Sequence, residues 1–158
     1  MKEINIPVGI SDFKEIRKNG YYYVDKTQYI DLLEQTGRFL FLIRPRRFGK
    51  SLFLNMLYCY YDVRYADKFD ELFGNQYIGK HPTSEQGKYL VLYFNFSAVR
   101  GTGEALEENF NMYAKIQMEA FADQYASYFE PGFSQGIREL KSAASQLNYI
   151  GKRAGMLG

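Results

Sequence analysis

The sequence predicts an α/β protein, and two apolar runs with a loop and helix between them are the basis of that prediction. The runs are RFLFLI at residues 38–43 and KYLVLYFNF at residues 88–96, and nearly every position in them is apolar. Runs of this length are typical of central strands covered on both faces, as in a parallel sheet. A basic loop follows the first run, and KSLFLNMLYCYY at residues 50–61 predicts a largely buried helix.

Helices are predicted on both sides of these runs. QYIDLLEQTG at residues 28–37 predicts a helix for which Asp25 or Thr27 could be the N-cap. A longer amphipathic helix has an acidic outer side and a further helix is predicted at residues 136–147, whereas the composition of residues 151–158 predicts no regular structure. The apolar positions of the long helix recur every three or four residues: Leu106, Phe110, Tyr113, Ala114, Met118, Phe121, Tyr125 and Phe129.

Length and composition indicate one folded domain over residues 1–158. The chain is 46% hydrophobic and 24% charged, and its net charge of +2 does not favour a general polyanion-binding role. Its single cysteine, Cys59, excludes an internal disulfide framework and suits a reducing compartment. MKEINIPVG is not a secretory signal, and FLFLI is too short to cross a bilayer, so we expect a cytoplasmic protein without membrane partners.

LIRPRRFGKS at residues 42–51 nearly matches a phosphate-binding loop, G-x-x-x-x-G-K-[ST]. Gly49, Lys50 and Ser51 fit the end of that motif, whereas Arg44 occupies the place of its first glycine. A strand–loop–helix order would let amide groups at the helix N-terminus bind phosphate. Lys50 could then reach the β- and γ-phosphates of ATP, and the Ser51 hydroxyl could bind Mg²⁺.

A second interpretation of the same loop needs no nucleotide. No acidic residue lies between Gln35 and Tyr61, and the cations of the loop are Arg44, Arg46, Arg47 and Lys50. These side chains could contact nucleic-acid phosphates or a partner protein in a non-catalytic binding module. Only the nucleotide interpretation requires the glycine and the hydroxyl that accompany the cations.

Two longer stretches resemble the AAA-ATPase-like proteins of bacteria, in which R-P-R-R-F-G-K-S replaces the usual Walker A start. They are IPVGISDFKEIRKNGYYYVDKT at residues 6–27 and FLIRPRRFGKSLFLNML at residues 41–57. The resemblance implies a P-loop NTPase-like core of the additional-strand (ASCE) type, with three layers. It also implies that this chain is the N-terminal part of a protein that often carries a PD-(D/E)XK nuclease-like domain.

The resemblance further implies an ATP and magnesium site. It makes Asp25, Lys26 and Thr27 a second signature bordering the nucleotide, beside the N-cap role that remains open for Asp25 or Thr27. No catalytic residue is assigned, and Ser51 is the predicted magnesium ligand. The predicted nucleotide-binding residues are Asp25, Lys26, Arg46, Arg47, Phe48, Gly49, Lys50, Ser51 and Leu52.

One element of the family pattern is missing from the sequence. Members continue into an apolar strand that ends in paired acids, the Walker B element, and no such strand follows Phe96 here. We therefore expect an incomplete core that binds nucleotide but hydrolyses it poorly or not at all. The unpaired edges of the two predicted strands also suggest, as partners, the remainder of a longer protein or another copy of this chain.

Overall fold

The computed structural model describes residues 5–155, and the regular elements in that range are helices. The chain divides into two compact units, Met1–Leu90 and Val91–Gly158. None of the helices in the described range is both long enough and apolar enough to span a bilayer.

The first unit is built around helix α3. Its α-helices are α1 (Phe13–Lys18), α2 (Tyr29–Thr36), α3 (Lys50–Tyr61), α4 (Phe69–Phe73) and α5 (Tyr77–Lys80), with a 3₁₀ helix at Val63–Lys68. The start of α3 agrees with the sequence prediction to the residue.

The core of the first unit packs α3 against α1 and, through the rings of Tyr60 and Phe73, against α4. Its buried side chains come from five helices: Phe13, Ile30, Met56, Cys59, Tyr60, Leu72, Phe73 and Ile78. The ring of Phe73 lies 5.0 Å from that of Phe13 and 5.6 Å from that of Tyr60, measured between centroids. Asn55 on α3 also accepts a hydrogen bond of 2.7 Å from the amide of Phe13. Removing such aromatic and aliphatic area from water is the main source of stability here.

The second unit contains the long helix that the periodicity predicted, but this helix ends at Gln124, before the predicted positions Tyr125 and Phe129. Its elements are 3₁₀ helices at Phe96–Ala98 and Ala126–Tyr128, and α-helices α6 (Glu104–Gln124), α7 (Phe133–Glu139) and α8 (Ala143–Ala154). Helices α7 and α8 correct the sequence prediction. The single helix expected at residues 136–147 is interrupted after Glu139, and the supposedly irregular tail is helical as far as Ala154.

Tyrosine hydroxyls of α6 and the residue following it hold the extended segment that opens the second unit. The hydroxyl of Tyr125 accepts from the amide of Val91 at 3.1 Å, and that of Tyr113 accepts from the amide of Asn95 at 2.7 Å. Side-chain oxygens thus take the place that carbonyls of a neighbouring strand would have in a sheet.

The prediction of an α/β fold with a three-layer P-loop core is wrong for this structure. Residues 5–155 contain no β-sheet, and their only strand-like pairing is an isolated parallel bridge between Asp62 and Tyr89. Residues 38–43 form no regular element and are exposed, with Phe39, Phe41 and Ile43 90, 91 and 90% accessible. An apolar run becomes a strand only where another segment binds its peptide groups. Within the described residues no segment does this for residues 38–43.

A buried ion pair stabilises the C-terminal end of α3. Asp62 is completely buried, and its carboxylate accepts hydrogen bonds from the Arg64 amide at 2.9 Å and from the Arg64 guanidinium at 2.7 Å. Since these bonds also begin the 3₁₀ helix at Val63–Lys68, Asp62 links two elements of the core.

Replacing Asp62 with alanine should destabilise the chain. Loss of the buried carboxylate leaves Arg64 without this partner, which should lower the free energy of unfolding by about 3 kcal/mol in urea titrations. Asp67→Ala, in the exposed part of the same 3₁₀ helix, is the control and should change it by less than about 0.5 kcal/mol. Equal unfolding midpoints for the two variants would contradict the role given to Asp62.

Candidate functional site

The basic loop joins the exposed run to helix α3 through an unusual backbone. Gly49, directly before the helix, has φ 73° and ψ 21°, in the left-handed region. Arg47 has φ 68°, the one positive value among the non-glycine residues described. A side chain in this region costs energy, so its presence here indicates a loop shape imposed by its surroundings.

The N-terminus of α3 has no side-chain cap. Gly49 occupies the N-cap position and contributes only its carbonyl, which accepts from the Phe53 amide at 2.9 Å. The amides of Lys50, Ser51 and Leu52 precede this first helical hydrogen bond in the sequence. By helix geometry they have no acceptor within the helix. This end of α3 therefore offers donors and the positive end of a helix dipole.

The Lys50 side chain folds back over the loop. Its ammonium donates to the carbonyl oxygens of Arg44 at 2.8 Å and Pro45 at 2.9 Å. These partners are neutral, and no carboxylate among residues 5–155 lies within ion-pair distance of this ammonium. An anion at the helix N-terminus could compete for Lys50, because charged acceptors bind ammonium groups more strongly than carbonyls do.

Two cavities flank the loop, and they share Lys26, Gly49 and Phe53. The smaller, about 120 Å³, is also lined by Tyr29, Leu32, Leu33, Leu42, Arg44 and Lys50. The larger, about 320 Å³, is also lined by Tyr22, Tyr23, Val24, Arg47, Phe48 and Leu52.

The two outer residues of the Asp25–Thr27 signature have structural partners. The Asp25 carboxylate accepts from the Thr27 amide at 2.8 Å and from the Tyr77 amide at 2.7 Å. The Thr27 hydroxyl donates to Asp25 at 2.7 Å and accepts from the Ile78 amide at 3.1 Å. These bonds attach the segment to the start of α5. Helix α2 begins later, at Tyr29, and neither Asp25 nor Thr27 caps it.

Lys26, between those residues, faces both cavities beside Gly49. The structure thus brings Lys26, Arg47, Phe48, Gly49 and Leu52 to the larger cavity, and Lys50 to the smaller. Arg46 and Ser51 are exposed and line neither of the two. Asp25 is near this region, but its carboxylate is bonded to backbone.

The predicted magnesium site consists of Ser51 alone. No group of three or more histidine, cysteine, aspartate or glutamate side chains is suitably placed for a metal in the described part of the chain. Mg²⁺ often uses few protein ligands and keeps several waters with substrate phosphates, so one hydroxyl at a helix N-terminus is compatible with it.

Sequence reasoning missed the apolar walls of the cavities. Tyr22, Tyr23 and Val24 belong to an irregular extended segment, and Tyr29, Leu32 and Leu33 lie on a short helix. The only available signal was the nearness of YYYV to the Asp25–Thr27 signature, since no periodicity marks these residues as cavity walls.

Comparison with known proteins supplies the family. The site is a basic loop that ends in Gly-Lys-Ser at an uncapped helix N-terminus. Residues 7–154 match the family described as "Predicted AAA-ATPase", and this chain belongs to that family. The fused nuclease-like domain remains a prediction.

A stretch of 58 residues is 52% identical to the protein titled "Uncharacterized protein in vnfD 5'region" from Azotobacter chroococcum mcd 1. The matched stretch covers 36% of this chain and only 11% of that protein, whose title names no activity. No solved structure matches the chain.

Glycine at position 47 should relieve the backbone cost of the loop. Because φ is positive there, Arg47→Gly should be more stable than Arg47→Ala by about 1 kcal/mol in urea titrations, although both variants lose the guanidinium. At Arg46, where φ is not positive, we expect the opposite order for the same two substitutions. The same order at both positions would refute the strain at Arg47.

Thr27→Val tests whether Thr27, within the signature, stabilises the fold. It keeps the shape of a fully buried side chain but removes bonds to Asp25 and Ile78, so unfolding should become easier by about 2 kcal/mol. Thr36→Val, at an exposed helix end, is the matched control and should change stability by under about 0.5 kcal/mol. If Thr27→Val leaves the free energy of unfolding unchanged, the side-chain bonds of Thr27 do not hold this segment to α5.

Proposed function

We propose that this chain binds a nucleoside triphosphate, ATP by the description of its family, with phosphates at the N-terminus of α3. The observation that carries the proposal is the geometry at Gly49–Ser51. The first residues of α3 have amide groups without helical acceptors, and the first of them, Lys50, has an ammonium whose described partners are neutral carbonyls. Both would gain from a multiply charged anion.

The charge around the loop supports an anionic ligand. Lys26 and Lys50 line the cavities together with Arg44 and Arg47, and Arg46 is exposed beside them. None of these five cations lies within ion-pair distance of a carboxylate in residues 5–155. The repulsion between these positive charges is offset when an anion binds among them.

Magnesium would enter this site with the nucleotide. Ser51 would provide one oxygen ligand, and the phosphates and water would provide the others. When bound, the ion supplies charge neutralisation between phosphates. The residues of this chain position the phosphates through backbone amides and through Lys26 and Lys50.

We propose binding with little turnover. Phosphoryl transfer depends on carboxylates that place the metal ion and the attacking water. The resemblance described above implies such groups at the end of an apolar strand, and the sequence from Phe96 to Gly158 contains no apolar run that ends in an acidic pair.

Lys50→Ala should weaken Mg-ATP binding by roughly 10- to 100-fold in calorimetric titration, the loss expected when a charged hydrogen-bonding partner is removed. Lys26→Ala should weaken binding by a smaller factor. Lys68→Ala, an exposed lysine on the 3₁₀ helix remote in sequence from the loop, is the control and should bind like wild type.

Four outcomes would contradict the proposal or a part of it. Failure of wild type to bind Mg-ATP would remove it, as would equal binding by Lys50→Ala. Binding of a short DNA duplex that falls steeply with salt, without ATP binding, would favour the nucleic-acid interpretation of the same cations. Lys50-dependent ATP hydrolysis at a normal enzymatic rate would overturn the claim of little turnover.

A further inference from the structure

The larger cavity has walls that phosphate groups cannot use. Three of its lining side chains are apolar or aromatic and more than half exposed: Tyr22 at 56%, Val24 at 59% and Phe48 at 60%. Leu52 and Phe53, on the first turn of α3, form another apolar part of the wall. An apolar surface of this kind beside a cation-rich loop suits a ligand that is anionic at one end and apolar at the other.

The volumes of the two cavities indicate which of them suits a small-molecule ligand. The larger, about 320 Å³, lies within the range of roughly 300–1,000 Å³ that is usual for small-molecule sites. The smaller, about 120 Å³, lies below that range, and Lys50 forms part of its wall. A planar ring system with its sugar therefore fits the larger cavity better.

The wall opposite α3 is held in place before any ligand arrives. The amide of Tyr22 donates to the Asn5 carbonyl at 2.8 Å, and the amide of Tyr21 donates to the Ile16 carbonyl at 3.1 Å. Farther along the same segment, Asp25 and Thr27 attach it to α5. A wall fixed at both ends can stack on a ring without first paying the entropy of its own ordering.

The cavity also reaches the start of α3, where the phosphates are proposed to bind. Gly49 and Leu52 line it, and these residues flank the amides at the start of α3. Arg47, from the basic loop, and Lys26, from the Asp25–Thr27 signature, also line it. A nucleotide with its phosphates at α3 would thus have its base within reach of the aromatic wall.

We propose that the base of the bound nucleoside triphosphate stacks in the cavity formed by Tyr22, Val24, Phe48, Leu52 and Phe53. This inference rests on the proposed nucleotide site and makes its ligand a nucleotide rather than an inorganic polyphosphate. Recognition comes mainly from stacking and apolar contact, because the side chains of this wall are largely aromatic and aliphatic. Stacking of this kind is tolerant of base identity, so ATP and GTP should bind with affinities that differ by less than about tenfold.

Comparison of Mg-ATP with inorganic tripolyphosphate tests the inference on the full chain. Tyr22→Ala should weaken ATP binding about tenfold, the loss expected for one base–aromatic stack, and should leave tripolyphosphate binding unchanged. Tyr29→Ala, which removes an exposed tyrosine from the smaller cavity only, is the matched control and should change neither.

Tryptophan fluorescence gives an independent measurement, because the sequence contains no tryptophan. Tyr22→Trp should report ATP by a change in emission that tripolyphosphate does not produce, and Tyr29→Trp should report neither. This variant keeps an aromatic ring in the wall, so it also answers the case in which Tyr22→Ala fails to fold.

The outcomes separate this inference from the proposed function. If wild type binds neither ATP nor tripolyphosphate, both proposals fail. If wild type binds both ligands and Tyr22→Ala binds ATP normally, the phosphate site remains and the base position is wrong. An effect of Tyr29→Ala on ATP alone would instead place the base in the smaller cavity.

Discussion

Burial of one face of α3 is the constraint on which the candidate site depends. Met56, Cys59 and Tyr60 are enclosed by side chains of α1, α2, α4 and α5, so the axis of the helix is fixed in the first unit. The same burial raises the pKa of the Cys59 thiol to about 12, because the charged thiolate is poorly solvated on this face. A helix anchored by its C-terminal half can present an open N-terminus without the loop before it being rigid.

The Asp25–Thr27 segment contributes both to the fold of the first unit and to the candidate site. Asp25 and Thr27 bond to the start of α5, and their side chains thereby set the direction of the chain at Lys26. The extended residues before them form a cavity wall. A short signature can therefore contain two residues whose role is structural and one that lines a cavity, and the sequence alone does not say which is which.

Local signals predicted the helices and the loop better than the sheet. The apolar face of α6 and the start of α3 depend on residues near in sequence, and both were predicted. The run at residues 38–43 has the composition of a strand, but a strand also needs a partner whose position no local pattern states. In this structure Phe39, Phe41 and Ile43 remain exposed. The cavity walls were missed for a related reason, because Tyr22 and Val24 become neighbours of Phe48 and Leu52 only when the unit folds.

The hydrogen bonds from Lys50 to the Arg44 and Pro45 carbonyls have a kinetic consequence. An ammonium has three N–H donors, so one can meet an anion while the other two stay on these carbonyls. A second contact from Lys50 to the same anion requires one of the two bonds to break. Binding would then proceed in two phases, and the slower phase would report the rate at which the carbonyls release the lysine.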